Sequence, residues 1–118
     1  MIQFVRLDHV LMCIPEGTTA QAREFYRDVI GLEEIPGNHP SGAIWFQIAD
    51  IQLHLREESG GNSSKRHPAF EVANLEEAKQ NLAAKGLAIE YSSDIDGRQR
   101  FFFRDPFDNR IELLQFVD

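Results

Sequence analysis

Four side chains able to bind a metal recur in this 118-residue chain at one spacing. His54 follows His9 by 45 residues, and Glu112 follows His67 by the same 45. Unrelated surface residues have no reason to share a spacing, so the coincidence points to a tandem repeat. In such a repeat each half contributes one residue from its first strand and one from its last. It constrains the fold strongly, because both halves must then carry the same order of elements.

The elements follow that order. Phe4 to Ile14 reads as a strand, and Thr18 or Thr19 is placed to cap a helix running through Ala22, Phe25, Tyr26 and Val29 to Ile30, where Gly31 ends it. Leu32 to Ile35, Ala43 to Ile48 and Ile51 to Glu57 read as strands, the last two joined by a short turn at Ala49 and Asp50. In the second half His67 to Val72 is a strand, and Asn74 caps a helix with Glu77 three residues on as a capping box. Gly86 ends that helix, and strands near Leu87 to Ser92, Arg98 to Arg104 and Arg110 to Phe116 follow. The expectation is an α+β fold of two βαβββ modules, residues 1–57 and 67–118, forming one domain through a polar linker at 58–66. The helix-ending glycines lie 55 residues apart and the paired histidines 58, so the repeat has changed length in its connections.

Strand parity sets the direction of the side chains. Val10, Met12 and Ile14 share one face of the first strand, and His9, Leu11 and Cys13 the other. Leu53 and Leu55 oppose Gln52, His54 and Arg56; Phe70 and Val72 oppose His67, Ala69 and Glu71; Ile111 and Leu113 oppose Arg110, Glu112 and Leu114. All four candidate ligands therefore fall on the face away from the apolar side chains. Helical stripes such as Phe25 with Val29, and Ala78 with Leu82, are expected to cover the apolar side, leaving a polar cleft on the other. Gln52, Arg56, Glu71 and Arg110 share the cleft face and are candidates for substrate binding. His39 stands outside the repeat in a Gly/Asn/Pro loop and is expected to be exposed.

Composition excludes several functions. A net charge of -7 opposes non-specific contact with nucleic acid or an anionic membrane, and no apolar run approaches a membrane span. The amino terminus lacks the features of a secretion signal, so a cytoplasmic protein is expected. With Cys13 as the one cysteine, an intramolecular disulfide and a thiolate cluster are both excluded, and any metal is left to nitrogen and oxygen donors. Three imidazoles and a carboxylate suit Zn²⁺, Ni²⁺, Co²⁺, Mn²⁺ or Fe²⁺ without choosing among them. Glu112, the one carboxylate of the set, is the candidate catalytic proton carrier.

Several segments, in this order, resemble the vicinal oxygen chelate superfamily of glyoxalases, bleomycin-resistance proteins and dioxygenases. They are Leu7 to Val10, Arg23 to Tyr26 leading into Val29 to Leu32, Leu53 to Leu55, His67 to Val72, and Asp105 to Leu113. The last is similar to the family ending Asp-Pro-x-Gly-x-x-x-Glu-Leu, with Asp108 or Asn109 where glycine is common. The resemblance implies a cupped mixed sheet with helices outside, built around a divalent metal, and commonly a homodimer. It also implies that His9 and Glu112 match the first and last ligands, and that His67 matches the histidine opening the second module. His54 matches the position of a glutamate ligand in bacterial glyoxalase I. The implied activity is that of a lyase or isomerase of the lactoylglutathione lyase type, acting on a small molecule through vicinal oxygens. The same resemblance includes extradiol dioxygenases, fosfomycin-type thiol transferases and metal-free drug-binding resistance proteins.

Overall fold

The computed structural model describes residues 1–117, which form two units, Met1–Gly60 and Gly61–Asp118. The first unit begins with β1 (His9–Ile14), shorter than the predicted Phe4 to Ile14. Residues 1–8 form no strand of their own, although the Asp8 carbonyl accepts from Gln52 N–H of β4 at 3.1 Å, and Ile2, Phe4 and Val5 stay exposed. Four strands make its sheet: β1, β2 (Glu33–Ile35), β3 (Ile44–Ile48) and β4 (Ile51–Glu57). Their order is β1-β4-β3-β2, with β1 and β4 parallel and the remaining pairs antiparallel. Parity holds on the core side, where Met12, Ile14, Leu53, Leu55, Ile44 and Phe46 are buried. Tyr26 and Phe46 lie 6.0 Å apart and are all but inaccessible to water. Burial of each such ring stabilises the unit by about 2–3 kcal/mol.

Helix α1 (Thr19–Glu24) is short because the next residues, Phe25–Val29, widen into a π-helical turn, with Ile30 N–H donating to the Phe25 carbonyl. Gly31, at φ +86°, ends the turn and lets Leu32 N–H reach the carbonyl of Tyr26. The start of α1 differs from the sequence expectation. Thr18 makes no side-chain cap; Glu57, at the end of β4, accepts from Thr19 N–H at 3.2 Å and from Thr19 Oγ1 at 2.7 Å. A carboxylate there also opposes the positive end of the helix dipole.

In the second unit β5 (Ala69–Glu71) runs parallel to β7 (Arg110–Phe116), which pairs antiparallel with β6 (Arg98–Arg104), giving the order β5-β7-β6. Helix α2 (Leu75–Ala84) is capped by Asn74, whose Oδ1 accepts from Glu77 N–H at 3.0 Å. It closes in a Schellman arrangement, Gly86 N–H to Ala83 O and Leu87 N–H to Leu82 O. The strand predicted over Leu87 to Ser92 shrinks to one bridge, Glu90 to Phe102, with both backbone bonds at 2.8 Å. The polar run Ser92-Ser93-Asp94 that follows gives a longer strand nothing to bury. This unit is therefore βαββ plus a bridge, not a full βαβββ. Parity also fails to separate its faces: Phe101, Phe102 and Phe103 are all buried, as are Ile111, Glu112 and Leu114. Among the described residues no helix is long and apolar enough to cross a membrane.

Candidate functional site

In the first unit the pairing of β1 with β4 sets Leu11 beside His54 and His9 beside Gln52, so the two histidines project from one face of adjacent strands. Their rings stack, with centroids 4.2 Å apart and planes 16° from parallel. The other face of His54 is covered by Trp45, directly across the β3–β4 pair, at 4.0 Å and 3°. Trp45 is covered in turn by His39 at 4.0 Å and 10°. His39 is thus half-buried against Trp45, where the sequence reading expected it exposed, and its Nε2 lies 2.9 Å from the carbonyl oxygen of Ile35. Three of the chain's four histidines stand in this column.

The edges of the rings are also occupied. His9 Nδ1 lies 2.9 Å from Asp8 Oδ2, and His54 Nε2 lies 2.9 Å from Gln52 Oε1. His54 is 8% exposed, and burial, followed by repulsion from His9, lowers its pKa below the usual histidine value despite the opposing charge of Asp8. The hydrogen bond with His9 holds the Asp8 carboxyl below its ordinary range.

In the second unit the same strand register brings His67 and Glu112 together, edge to edge. The β5–β7 pairing sets Ala69 beside Glu112, and Glu112 N–H donates to the carbonyl of Pro68. His67 precedes the strand; its Nδ1 is 2.8 Å from the Lys65 carbonyl and its Nε2 is 3.1 Å from Glu112 Oε1. Glu112 is 4% exposed, a costly place for a carboxylate without a charged partner. Arg100 provides one, with Nη1 donating to the same Oε1 at 3.0 Å and Nη2 to the Ser93 carbonyl at 2.6 Å. Phe102, opposite Glu112 in the β6–β7 register, lies beneath the group. The His67 ring meets it edge-on at 5.0 Å, and the Arg110 guanidinium sits 3.8 Å above it.

The sequence candidates therefore divide. Gln52 joins His54, and Arg110 joins the surroundings of His67 and Glu112. The side chains of Arg56, beside Cys13, and Glu71, beside Leu114, make no hydrogen bond or ion pair among the described residues. Arg100 was missed, although the alternation Arg98, Arg100, Phe102, Arg104 carried a signal. In a β6–β7 hairpin that face of β6 must meet the face of β7 bearing Glu112.

Among the described residues the candidate donors meet in pairs, and no group of three or more His, Cys, Asp or Glu side chains is gathered to hold an ion. The two pairs differ in how they suit a divalent cation. Donors about 2.1 Å from one ion at 90–109° stand about 3 Å apart, and the His67 Nε2 to Glu112 Oε1 separation of 3.1 Å fits such an edge. An imidazole lone pair lies in the ring plane, so the near-parallel rings of His9 and His54 do not converge on a common point. His9 and His67 each have Nδ1 set against an oxygen, the usual way of orienting a ligating imidazole through its second nitrogen. Within the second unit the donor chemistry of His67 and Glu112 fits a divalent metal, and within the first that of His9 does.

Comparison with known proteins gives a consistent family likeness. The family model for the Glyoxalase/Bleomycin resistance protein/Dioxygenase superfamily matches residues 6–113. A glyoxalase family protein from Bacillus anthracis is similar at 35% identity and TM-score 0.88, over 99% of this chain and 100% of that one. A lactoylglutathione lyase from Agrobacterium tumefaciens has the same fold at 20% identity and TM-score 0.75, over 96% of this chain and 95% of that one. An antibiotic-binding protein from a Streptomyces species shares it at 20% identity and TM-score 0.75, over 97% and 100% of the two chains. No curated protein sequence matches the chain.

Proposed function

Because the chain belongs to the glyoxalase, bleomycin resistance protein and dioxygenase superfamily, we propose that it is a divalent-metal-dependent lyase or isomerase whose substrate offers two adjacent oxygens. The observation that carries this reading is the 3.1 Å approach of His67 Nε2 to Glu112 Oε1 while His67 Nδ1 faces the Lys65 carbonyl. A carbonyl can only accept, so the neutral ring keeps its proton on Nδ1 and aims the Nε2 lone pair at the carboxylate. Two lone pairs facing each other repel unless a positive centre joins them; a proton on Nε2, which makes the contact an ion pair, is one such centre, and a divalent cation is the other, which the family resemblance favours. The family resemblance adds His9, whose Nδ1 is held by Asp8, and a homodimer as the working form.

When bound, the metal would supply Lewis-acid stabilisation of negative charge on the substrate oxygens. The remaining work belongs to the chain. Glu112 is the proposed proton carrier: Oε1 takes the contacts with His67 and Arg100, which leaves Oε2 to accept a proton from the substrate and return it. Arg100 fixes the carboxylate's orientation and balances its charge while the proton is elsewhere. Arg110, held against Phe102, is a preset guanidinium for an anionic group on the substrate, and Gln52 orients His54.

One observation favours a second reading. The Arg100 guanidinium already gives Glu112 a positive partner, as a metal-free binding protein would need, and one relative of this fold is an antibiotic-binding protein. Elemental analysis of tag-free protein, followed by titration with Ni²⁺, Zn²⁺, Mn²⁺ and Fe²⁺, separates the two. Stoichiometric metal that is lost in His9→Ala, His67→Ala and Glu112→Ala supports the enzyme. A wild-type protein that binds none of these ions rejects it. Turnover of methylglyoxal with a thiol, against dioxygen uptake with a catechol, then distinguishes lyase from dioxygenase.

A further inference from the structure

We infer that His54 is a positioning residue, not a metal ligand, and that His39, Trp45 and His54 form a stacked column fixing the ring plane of His9. The inference rests on the reading above only in taking His9 as a ligand. The column crosses the sheet: Trp45 on β3 lies directly opposite His54 on β4, and His9 on β1 lies diagonal to His54. Neighbouring strands are about 4.8 Å apart, so flat side chains on one face of three adjacent strands can stack with little distortion. Centroid spacings of 4.0, 4.0 and 4.2 Å, with interplanar angles of 10°, 3° and 16°, show them doing so. His39, reaching in from the loop before β3, closes the far end and is anchored on the Ile35 carbonyl.

Two features remove His54 from the ligand set. Planes inclined by only 16° at a 4.2 Å spacing intersect far beyond a metal–nitrogen bond of about 2 Å, so an ion held by His9 lies outside the reach of the His54 lone pairs. Both faces of His54 are covered, and its Nε2 is engaged by Gln52. At the other end of the column His9 has one face on His54, Nδ1 on Asp8 and a ring that is 45% exposed. Its Nε2 makes no hydrogen bond among the described residues and is available to a ligand. With one face and one edge fixed, the direction of that lone pair is set by the residues stacked behind it.

The test compares substitutions that keep a ring with substitutions that remove it, in the full-length chain. His54→Phe and Trp45→Phe preserve stacking; His54→Ala, Trp45→Ala and His39→Ala break it at successive points. Titration with Ni²⁺ is expected to leave His54→Phe stoichiometric and within a few-fold of wild type. His54→Ala should bind about 10–100-fold more weakly, as loss of an orienting partner does, and Trp45→Phe should rescue the weakening seen in Trp45→Ala. A His54→Phe protein as free of metal as His9→Ala would overturn the inference. The column is also read without metal, from the His9 ring protons in NMR spectra of the apoprotein. Their ring-current shifts should persist in His54→Phe and collapse in His54→Ala. Unchanged His9 shifts in a folded His54→Ala or His39→Ala protein would reject the positioning role even if wild type bound no ion, an outcome that separately rejects the metal-enzyme reading.

Discussion

His54 and Glu112 occupy the same register in two separate parallel strand pairs. In the first unit His54 pairs with Leu11, two residues beyond His9; in the second, Glu112 pairs with Ala69, two residues beyond His67. The equal spacing of 45 residues is therefore one strand register used twice, and in each unit it brings the two side chains into contact. The contacts differ in kind. Two imidazoles stack, whereas an imidazole and a carboxylate meet edge to edge.

The second contact depends on Arg100, which shares Glu112 Oε1 with His67. Replacing Arg100 with Met leaves a nearly inaccessible carboxylate without its guanidinium, and loss of one partner of such a pair costs about 3 kcal/mol. Urea unfolding of the metal-free protein should show a loss of that order. On the proposed function, the same variant should bind Ni²⁺ more tightly than wild type, because a competing positive charge has gone. Added Ni²⁺ should then recover part of the lost stability. Weaker Ni²⁺ binding by Arg100→Met would mean that Arg100 assists the cation and does not compete with it.

Helix α2 is anchored at its start by its cap. Asn74 Oδ1 satisfies Glu77 N–H at 3.0 Å, and Asn74→Ala should lower stability by about 1 kcal/mol. Asn74→Asp, which can make the same bond, should lie close to wild type in the same urea titration.

Much of this architecture was readable from periodicity and punctuation. Ile51 to Glu57, Arg98 to Arg104 and Arg110 to Phe116 are strands over the residues expected, because alternation with short turns leaves little choice of boundary. Asn74 and Gly86 bound α2 as read from their residue types. What escaped depends on tertiary partners. Phe4, Val5 and Leu7 are apolar, as strand residues often are, yet a strand also needs a neighbour to pair with, and residue types alone do not supply one. Glu57 as the anchor for α1 is 38 residues from Thr19, and no local rule links them. The His39–Trp45 stack was hidden for the same reason: a histidine in a Gly/Asn/Pro loop carries no local sign of the ring it will meet.

The Asp105 to Asn109 turn explains where the family glycine has been replaced. Asp108, at φ +72°, occupies a left-handed position, while Asp105 Oδ1 accepts from the backbone N–H of Phe107 and Asn109. Aspartate tolerates this conformation better than most residues with a Cβ, through local hydrogen bonding, whereas alanine has no such compensation. Asp108→Gly should therefore be more stable than Asp108→Ala by about 1–2 kcal/mol, read as a difference in urea midpoint at equal slope. Equal midpoints would show that the backbone relaxes out of the left-handed region at no cost.

Acid should destabilise the chain through His54 and through Glu57 in two separate ranges of pH. The pKa of His54 is lowered in the folded protein by burial and by His9, so between that value and the ordinary 6.5 the unfolded chain binds more protons. This contribution is fully present above 6.5 and is lost as pH falls through the depressed folded value. Glu57 is lowered by hydrogen bonds from Thr19 and Gly17, so its contribution is present above the ordinary 4.5 and disappears at lower pH, as the carboxylate anchoring α1 takes up a proton. Urea titrations across pH should separate the steps by substitution. His54→Phe should flatten the dependence just below 6.5 and leave the lower step, whereas Glu57→Gln should flatten the lower step alone. A His54→Phe protein that keeps the full slope below 6.5 would place that titration on another group, and the column would then have no part in the acid sensitivity of the fold.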